Sequence, residues 1–280
     1  MWIKKSEVRE LSGNIRKIID GQSVDLRDNR EGGWGILKND IHTLAYRKNE
    51  QVDILQKERN AMSDTLVNIS HQIKTPLTSM MIMAELLENA LTAGETPADK
   101  QTEFLSNIKA GLARMEWFAY ALLKIAKLDA GAVEFKTETI PSNELIGLAL
   151  EPLQILLDVK NQGIEIVNGA ELPCDRRWTS EALTNLIKNA SEASPDGGAI
   201  RIECGSNPIC KWISVTDSGN GIEKNKIYKL FKRFEGSNHE KGCGIGLPLA
   251  LAIMRGQNGD IEIDGGGNGQ GAVFTLKFFK

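Results

Sequence analysis

The sequence predicts a multidomain chain, α in its first half and α+β in its second. The expected architecture is an antiparallel helical hairpin that dimerises into a four-helix bundle, followed by an α/β sandwich. Three observations carry this expectation. Apolar residues of the first half recur at alternating three- and four-residue steps. After Gly131, short β-branched runs alternate with helical patterns and turns. The 27 glycines cluster late in the chain, where backbone would approach a ligand closely.

The bulk composition is compatible with this picture. A length of 280 residues suggests two domains, and 41% hydrophobic with 25% charged residues is the make-up of a soluble globular protein. A net charge of −3 without a long basic run argues against a nucleic-acid partner. Cys174, Cys204, Cys210 and Cys243 form no Cys-x-x-Cys pair, and only three histidines exist to join them, so neither a zinc site nor a disulfide framework is suggested. A reducing, cytoplasmic setting follows. No apolar run approaches the roughly 20 residues of a membrane span. The abrupt start "MWIKKSEV" is compatible with a membrane anchor upstream of this chain.

Taken in order, the first 40 residues are the least regular, and "DLRDNREGGWGILKND" reads as a polar connector. A helix is expected from Ile41 to Leu91, with Leu55, Met62, Leu66, Ile69, Ile73, Met80 and Leu87 on one narrow stripe. "ALTAGETPAD" interrupts it, with Thr96 as N-cap and Pro97 at the first helical position. A second helix follows, with Leu105, Ile108, Leu112, Met115, Leu122 and Ile125 on one face, ending near Ala130-Gly131. Two such helices cannot bury both stripes by themselves, hence the expected dimer.

Beyond them, "TIPSNELIGLALEPLQILLDVKNQG" predicts a helix entered through Ser142 or Asn143, with Pro152 unaccounted for. The runs "IEIV", "AIRIECG", "KWISVTD", "DIEID" and "AVFTLKFF" predict strands. Three motifs stand among them. "NLIKNASEAS" puts Asn185 and Asn189 on one helix face, a pattern that alone is more often a solvated face. "VTDSGNGI" is a turn after a strand, with Asp217, Gly219 and Gly221. "KGCGIGLPLALAIM" sets Gly242, Gly244 and Gly246 before a helix, where backbone N–H groups form a phosphate cradle. Pro248 suits the first helical turn.

With "IYKLFKRFEG" between the last two, these motifs resemble the N, G1, F and G2 boxes of the ATP-binding domain of sensor histidine kinases. The wider relatives of that domain are gyrase, the heat-shock ninety chaperone and MutL. "SHQIKTPLTS" resembles the H box of the same family, whose usual form is Ser-His-Glu-Leu-Arg-Thr-Pro-Leu. The resemblance implies a signal-transmitting linker at 1–58, HAMP-like or coiled-coil, a dimerisation and phosphoacceptor domain at 59–134, and a Bergerat-type ATP-binding domain at 136–280. It implies phosphorylation of His71 from ATP with Mg²⁺, then transfer to an aspartate of a response-regulator receiver domain. Asn189 would supply an oxygen to Mg²⁺, with Asn185 supporting the same face. Asp217 would accept the adenine amine, while Gly219 and Gly221 keep the backbone near the base. Phe231 and Phe234 would anchor a lid. Gly242, Gly244 and Gly246 would cradle the triphosphate, with Leu247 packed behind. Thr75 would position a water for dephosphorylating the partner. The alternatives are a degenerate ATP-binding scaffold and an ATPase clamp of the gyrase type.

Helical geometry adds an independent point. His71 lies about 200° from Ile69 and from Ile73 at ~100° per residue, so it faces away from the apolar seam. Neutral imidazole is a competent nucleophile near neutral pH. Pro76 removes a backbone hydrogen bond and is expected to let the helix bend there. The chain also departs from the family pattern. Gln72 replaces the usual acidic residue, and an amide can accept the Nδ1 hydrogen bond but cannot take the proton. Lys74 replaces an arginine, Glu192 and Gly236 stand where basic residues are common, and Cys243 replaces Thr or Ser. Lys229, Lys232, Arg233 and Lys241 are the candidate replacements for the missing phosphate contact.

Overall fold

The computed structural model describes residues 4–19, 24–27, 33–93, 97–233, 244–266 and 271–280. The chain divides into two units, residues 1–67 and 68–280.

In the first unit, α1 (Lys5–Ile19) is a short amphipathic helix within the stretch expected to be least regular. Helix α2 (Gly33–Ala93) begins eight residues before the expected Ile41, so "GWGILKND" is its first two turns and not connector. Two glycines and a tryptophan concealed a helix that its later stripe sustains. Pro76 sits within α2, and the helix continues through it. Thr96 lies outside the described residues, and Pro97 itself is the N-cap of α3 (Ala98–Asp129), with no side-chain hydrogen bond. Gly111 of α3 fits closely against Met80 of α2, since a Cβ there would lie 2.6 Å from the methionine Cγ.

The sandwich follows. β1 (Thr137–Pro141) pairs antiparallel with β3 (Glu171–Asp175), a two-stranded sheet absent from the sequence-based expectation. Both strands contain proline, which hides strand character. Between them, Pro152 finds its reason. It occupies the first turn of a 3₁₀ segment (Glu151–Leu153) that splits the expected single helix into α4 (Ser142–Leu150) and α5 (Gln154–Val159). β2 (Gly163–Val167) ends that stretch, and α6 (Arg176–Ala193) follows β3. Then come β4 (Ala199–Ser206), β5 (Cys210–Thr216), α7 (Lys224–Leu230), α8 (Gly246–Gly256), β6 (Gly259–Asp264) and β7 (Val273–Phe279).

The main sheet runs β2-β4-β5-β7-β6, with only β2–β4 parallel. Helices α4, α6 and α8 cover one face. Leu183, Leu186 and Ile187 of α6, Ile253 and Met254 of α8, and Ile200, Ile202, Ile213 and Leu276 of the sheet are all fully buried. Phe118, Ala121 and Ile125 of α3 join the same cluster, and Ile69 and Ile73 of α2 pack against it. The helical hairpin and the α/β sandwich are thus both present, in the expected order.

Candidate functional site

Helix α6 carries both asparagines, and its start is fixed from several sides. Asp175 is its N-cap, with Oδ1 accepting the Trp178 N–H at 3.0 Å. Oδ2 accepts from Lys136 N at 2.8 Å, and the Asp175 N–H donates to Gln257 Oε1 at 2.6 Å. Ala182, Leu183, Leu186 and Ala190 turn inward, which directs the next face toward α8. Asn185 is buried there, its Nδ2 donating to the Glu181 carbonyl at 3.0 Å. A Cβ on Gly246 would lie 3.0 Å from Asn185 Oδ1, so the first residue of α8 rests on this amide. Asn189, one turn on, is half-buried.

The N-terminus of α8 has no side-chain cap. Among the described residues no side chain is bonded to its first N–H groups, the condition under which a helix start takes an anion. Gly244 has φ +64°, a conformation glycine adopts without strain. Leu247 and Pro248 are buried behind this start. Gly242, Cys243, Lys241, Phe234, Gly236 and His239 lie outside the described residues.

Asp217 directly follows β5, where pairing of Thr216 with Val273 brings it beside Ala272. The Asp217 N–H donates to the Ala272 carbonyl at 3.0 Å. Its Oδ1 accepts from Gly219 N at 2.8 Å and Ala272 N at 3.1 Å. Burial pushes this carboxyl above its ordinary range, while the two N–H groups pull the other way. Gly219 is buried, Gly221 has φ +75°, and a Cβ on Gly271 would overlap the Asp217 carbonyl. Gly271 and Ala272 thus belong to the site; the sequence marks them only by the glycines that precede the last strand, a pattern that does not attach them to Asp217.

The remaining residues lie on α2 and just after α7. His71 is exposed on α2 while Ile69 and Ile73 face the core. Gln72 is half-buried. The Thr75 hydroxyl donates to the His71 carbonyl at 3.1 Å, a back-bond that fixes its rotamer. Phe231 packs partly buried against the core. Arg233 donates to Asp129 of α3 at 2.9 Å, so its charge is directed at the hairpin. Two further contacts join α3 to α6: Lys124 donates to Glu181 at 2.6 Å, and Lys188 lies 5.2 Å from the Trp117 ring centroid.

Among the described residues, no helix is long and apolar enough to cross a membrane, and no group of three His, Cys, Asp or Glu could hold a metal.

Comparison with known proteins assigns both parts. Residues 61–131 match the His Kinase A (phospho-acceptor) domain, and residues 174–280 match the histidine kinase-, DNA gyrase B-, and HSP90-like ATPase family. The heme sensor protein HssS of Staphylococcus saprophyticus is 29% identical over 250 residues, covering 87% of this chain and 52% of that protein. Sensor histidine kinase WalK of Bacillus subtilis is 28% identical over 248 residues, covering 84% of this chain and 39% of its own length. The chain thus spans about half the length, or less, of the curated relatives it matches. Histidine kinase ThkA, solved in complex with the response regulator TrrA, shares the fold with a TM-score of 0.64 at 20% identity, covering 83% of this chain and 66% of that one. Histidine kinase AdeS of Acinetobacter baumannii gives 0.58 at 22% identity, covering 75% of this chain and 97% of that one.

Proposed function

The chain belongs to the two-component sensor histidine kinases, and from that premise we propose that it phosphorylates itself on His71 from Mg-ATP and passes the phosphoryl group to an aspartate of a response regulator. The observation that carries the proposal is the pairing, in one chain, of an exposed helical imidazole with a buried carboxylate and a helix start that both pack along α6.

Each residue has a task that its surroundings support. Asp217 is an acceptor with Oδ1 already engaged by two backbone N–H groups. Its second oxygen is left to receive the exocyclic amine of adenine, which guanine does not offer from that position. The first turn of α8, with Gly244 and Gly246, receives phosphate oxygens. Asn189 would hold Mg²⁺ through its amide oxygen, together with the phosphates. One neutral side chain suits a hard ion that keeps several waters, and the ion would neutralise charge on the transferring group. On the hairpin, His71 Nε2 attacks the γ-phosphorus, the P–O bond to the β-phosphate breaks, and ADP leaves. Gln72 accepts the Nδ1–H and orients the ring without removing its proton. Thr75 places a water for the reverse, dephosphorylating activity toward the regulator. The functional unit is a homodimer through the hairpin, and a membrane-anchored sensor portion lies in the longer protein.

The decisive experiment is incubation with γ-labelled ATP and Mg²⁺. An acid-labile protein label, absent from His71→Gln, is expected. Label retained in that variant would remove His71 from its role. Sustained phosphate release with no protein-bound label would favour the ATPase clamp instead.

A further inference from the structure

Helix α6 does more than carry the asparagines, because its last turn is built into the turn that holds Asp217. A Cβ on Gly219 would lie 2.6 Å from the Ala193 carbonyl oxygen. Ser194, 4% exposed, accepts the N–H of Ser218 on its Oγ at 3.1 Å. Ser218 is the residue between Asp217 and Gly219. From the other side, a Cβ on Gly198 would lie 2.5 Å from Ser218 Oγ.

The α6 terminus is itself held by a residue from a different element. The last carbonyls of a helix have no partner within it. Gln162, 9% exposed, answers them across space, its Nε2 lying 3.0, 3.2 and 3.1 Å from the carbonyl oxygens of Ser191, Ser194 and Pro195. Its Oε1 accepts the Ser191 hydroxyl at 2.6 Å. Lys160 donates to the Ser191 carbonyl at 2.6 Å, a cation where the helix dipole favours one. Backbone bonds from Gly197 N to Lys160 O (2.8 Å) and Gly163 N to Gly198 O (3.1 Å) close the same loop. An unbroken polar path therefore runs from Gln162 through Ser194 to Ser218 and the base of the Asp217 side chain.

We propose that Ser194 and Gln162 are positioning residues that set the base specificity of the nucleotide site, by holding the Asp217 turn where its carboxylate can meet the adenine amine. Neither residue needs to touch the nucleotide. The inference rests on the reading of Asp217 given above. Base discrimination comes from one hydrogen bond whose strength falls steeply with misalignment. A turn with freedom to shift would bind the phosphates as before while reading the base less well.

The test is calorimetric titration of the full chain with ADP and with inosine diphosphate, which presents a carbonyl where adenine presents its amine. Wild type is expected to prefer ADP. Ser194→Ala loses the bond to Ser218 and Gln162→Met the bonds to the α6 terminus, and each is expected to cut that preference about 3- to 10-fold, mostly through weaker ADP binding. Ser194→Thr, which keeps the hydroxyl, restores it. If both nucleotides weaken equally, or neither does, the two residues are merely structural and the inference falls. Should Gln162→Met fail to fold, the one-atom change Ser194→Ala carries the test alone. Asp217→Asn separates the two levels. If it leaves the ADP preference intact, or if wild type has none, the reading of Asp217 itself is wrong. If it abolishes the preference while Ser194→Ala does not change it, only the present inference fails.

Discussion

The hairpin and the sandwich differ in how far each completes itself. In the sandwich, Leu145, Ile146, Leu183, Ile187, Ile202 and Ile213 are fully buried within one chain. In the hairpin, Leu77, Ile82, Leu86, Leu105 and Leu112 are between 42% and 55% exposed, on helices that already pack against each other through Met80 and Gly111. The chemistry divides in the same way. The Asp217 carboxylate, proposed to read the base, is enclosed by backbone on several sides, whereas the His71 imidazole, proposed as the nucleophile, stands on an open helix face. A group that selects one nucleotide needs enclosure; a group that must serve both a nucleotide and a visiting aspartate needs access.

The largest expected effect attacks the incomplete region. Leu77→Glu with Leu112→Glu places charges on the exposed apolar stripe, and burying each against a second copy costs several kcal/mol. Dimer affinity should fall by about 100-fold or more, read by sedimentation equilibrium. Nucleotide affinity should stay within a factor of about two, because Leu77 and Leu112 lie outside the core that the sandwich shares with α3. Loss of nucleotide binding in the monomer would break the contrast.

Next in size is Asp217→Asn, expected to weaken ADP about 10- to 100-fold, since it removes a charge-assisted acceptor. Its stability effect has the opposite sign. Folding raises this pKa, so the native state keeps the proton to higher pH than the unfolded chain does. The protonated form favours folding below the ordinary value of 3.8, and that contribution is lost as pH rises through the raised native value. The asparagine resembles the protonated acid. The nucleotide-free variant should melt above wild type at pH 7, with the gap closing toward pH 4. A variant that melts lower at pH 7 would mean that the ionised carboxylate stabilises the fold and is not held there for function.

The same contrast explains what was legible in the sequence. Periodicity reported α2 and α3 over most of their length, but two glycines and Trp34 hid the first two turns of α2. Strands β2, β4, β5, β6 and β7 were readable from β-branched runs. β1 and β3 were not, because Pro141 and Pro173 are tolerated only in a small edge pair that tertiary structure reveals. Glycine spacing pointed to Asp217, Gly219 and Gly246. It could not point to Ala272, Ser194 or Gln162, which reach the site through pairing and long-range hydrogen bonds that leave no local pattern. Lys229, Lys232, Arg233 and Lys241 are equal candidates for the phosphate contact in the sequence, and the structure pairs Arg233 with Asp129.

Gln72→Glu sharpens the comparison on the hairpin side. Restoring a carboxylate beside His71 supplies an acceptor that can take the Nδ1 proton, and initial label incorporation should rise about 10-fold, at the low end for a general base. ADP affinity should not change. An unaltered rate would mean that the proton leaves by another route and that Gln72 only orients the ring.

The smallest effect concerns the more exposed of two ion pairs that, among the described residues, link α3 to the sandwich; the other is Lys124–Glu181. Arg233 and Asp129 are 38% and 49% exposed, so their 2.8 Å pair is worth at most about 1 kcal/mol. Asp129→Asn frees the guanidinium while leaving the α3 backbone as it is. If Arg233 can turn to the nucleotide, ATP affinity should rise about 2- to 3-fold in that variant and the rise should vanish in the double variant with Arg233→Gln. ADP, which lacks the γ-phosphate, should gain less than ATP. Equal affinities in wild type and Asp129→Asn would confine Arg233 to the contact with the hairpin. The phosphate charge would then fall to a lysine of the same stretch, with Lys229 and Lys232 the first to substitute.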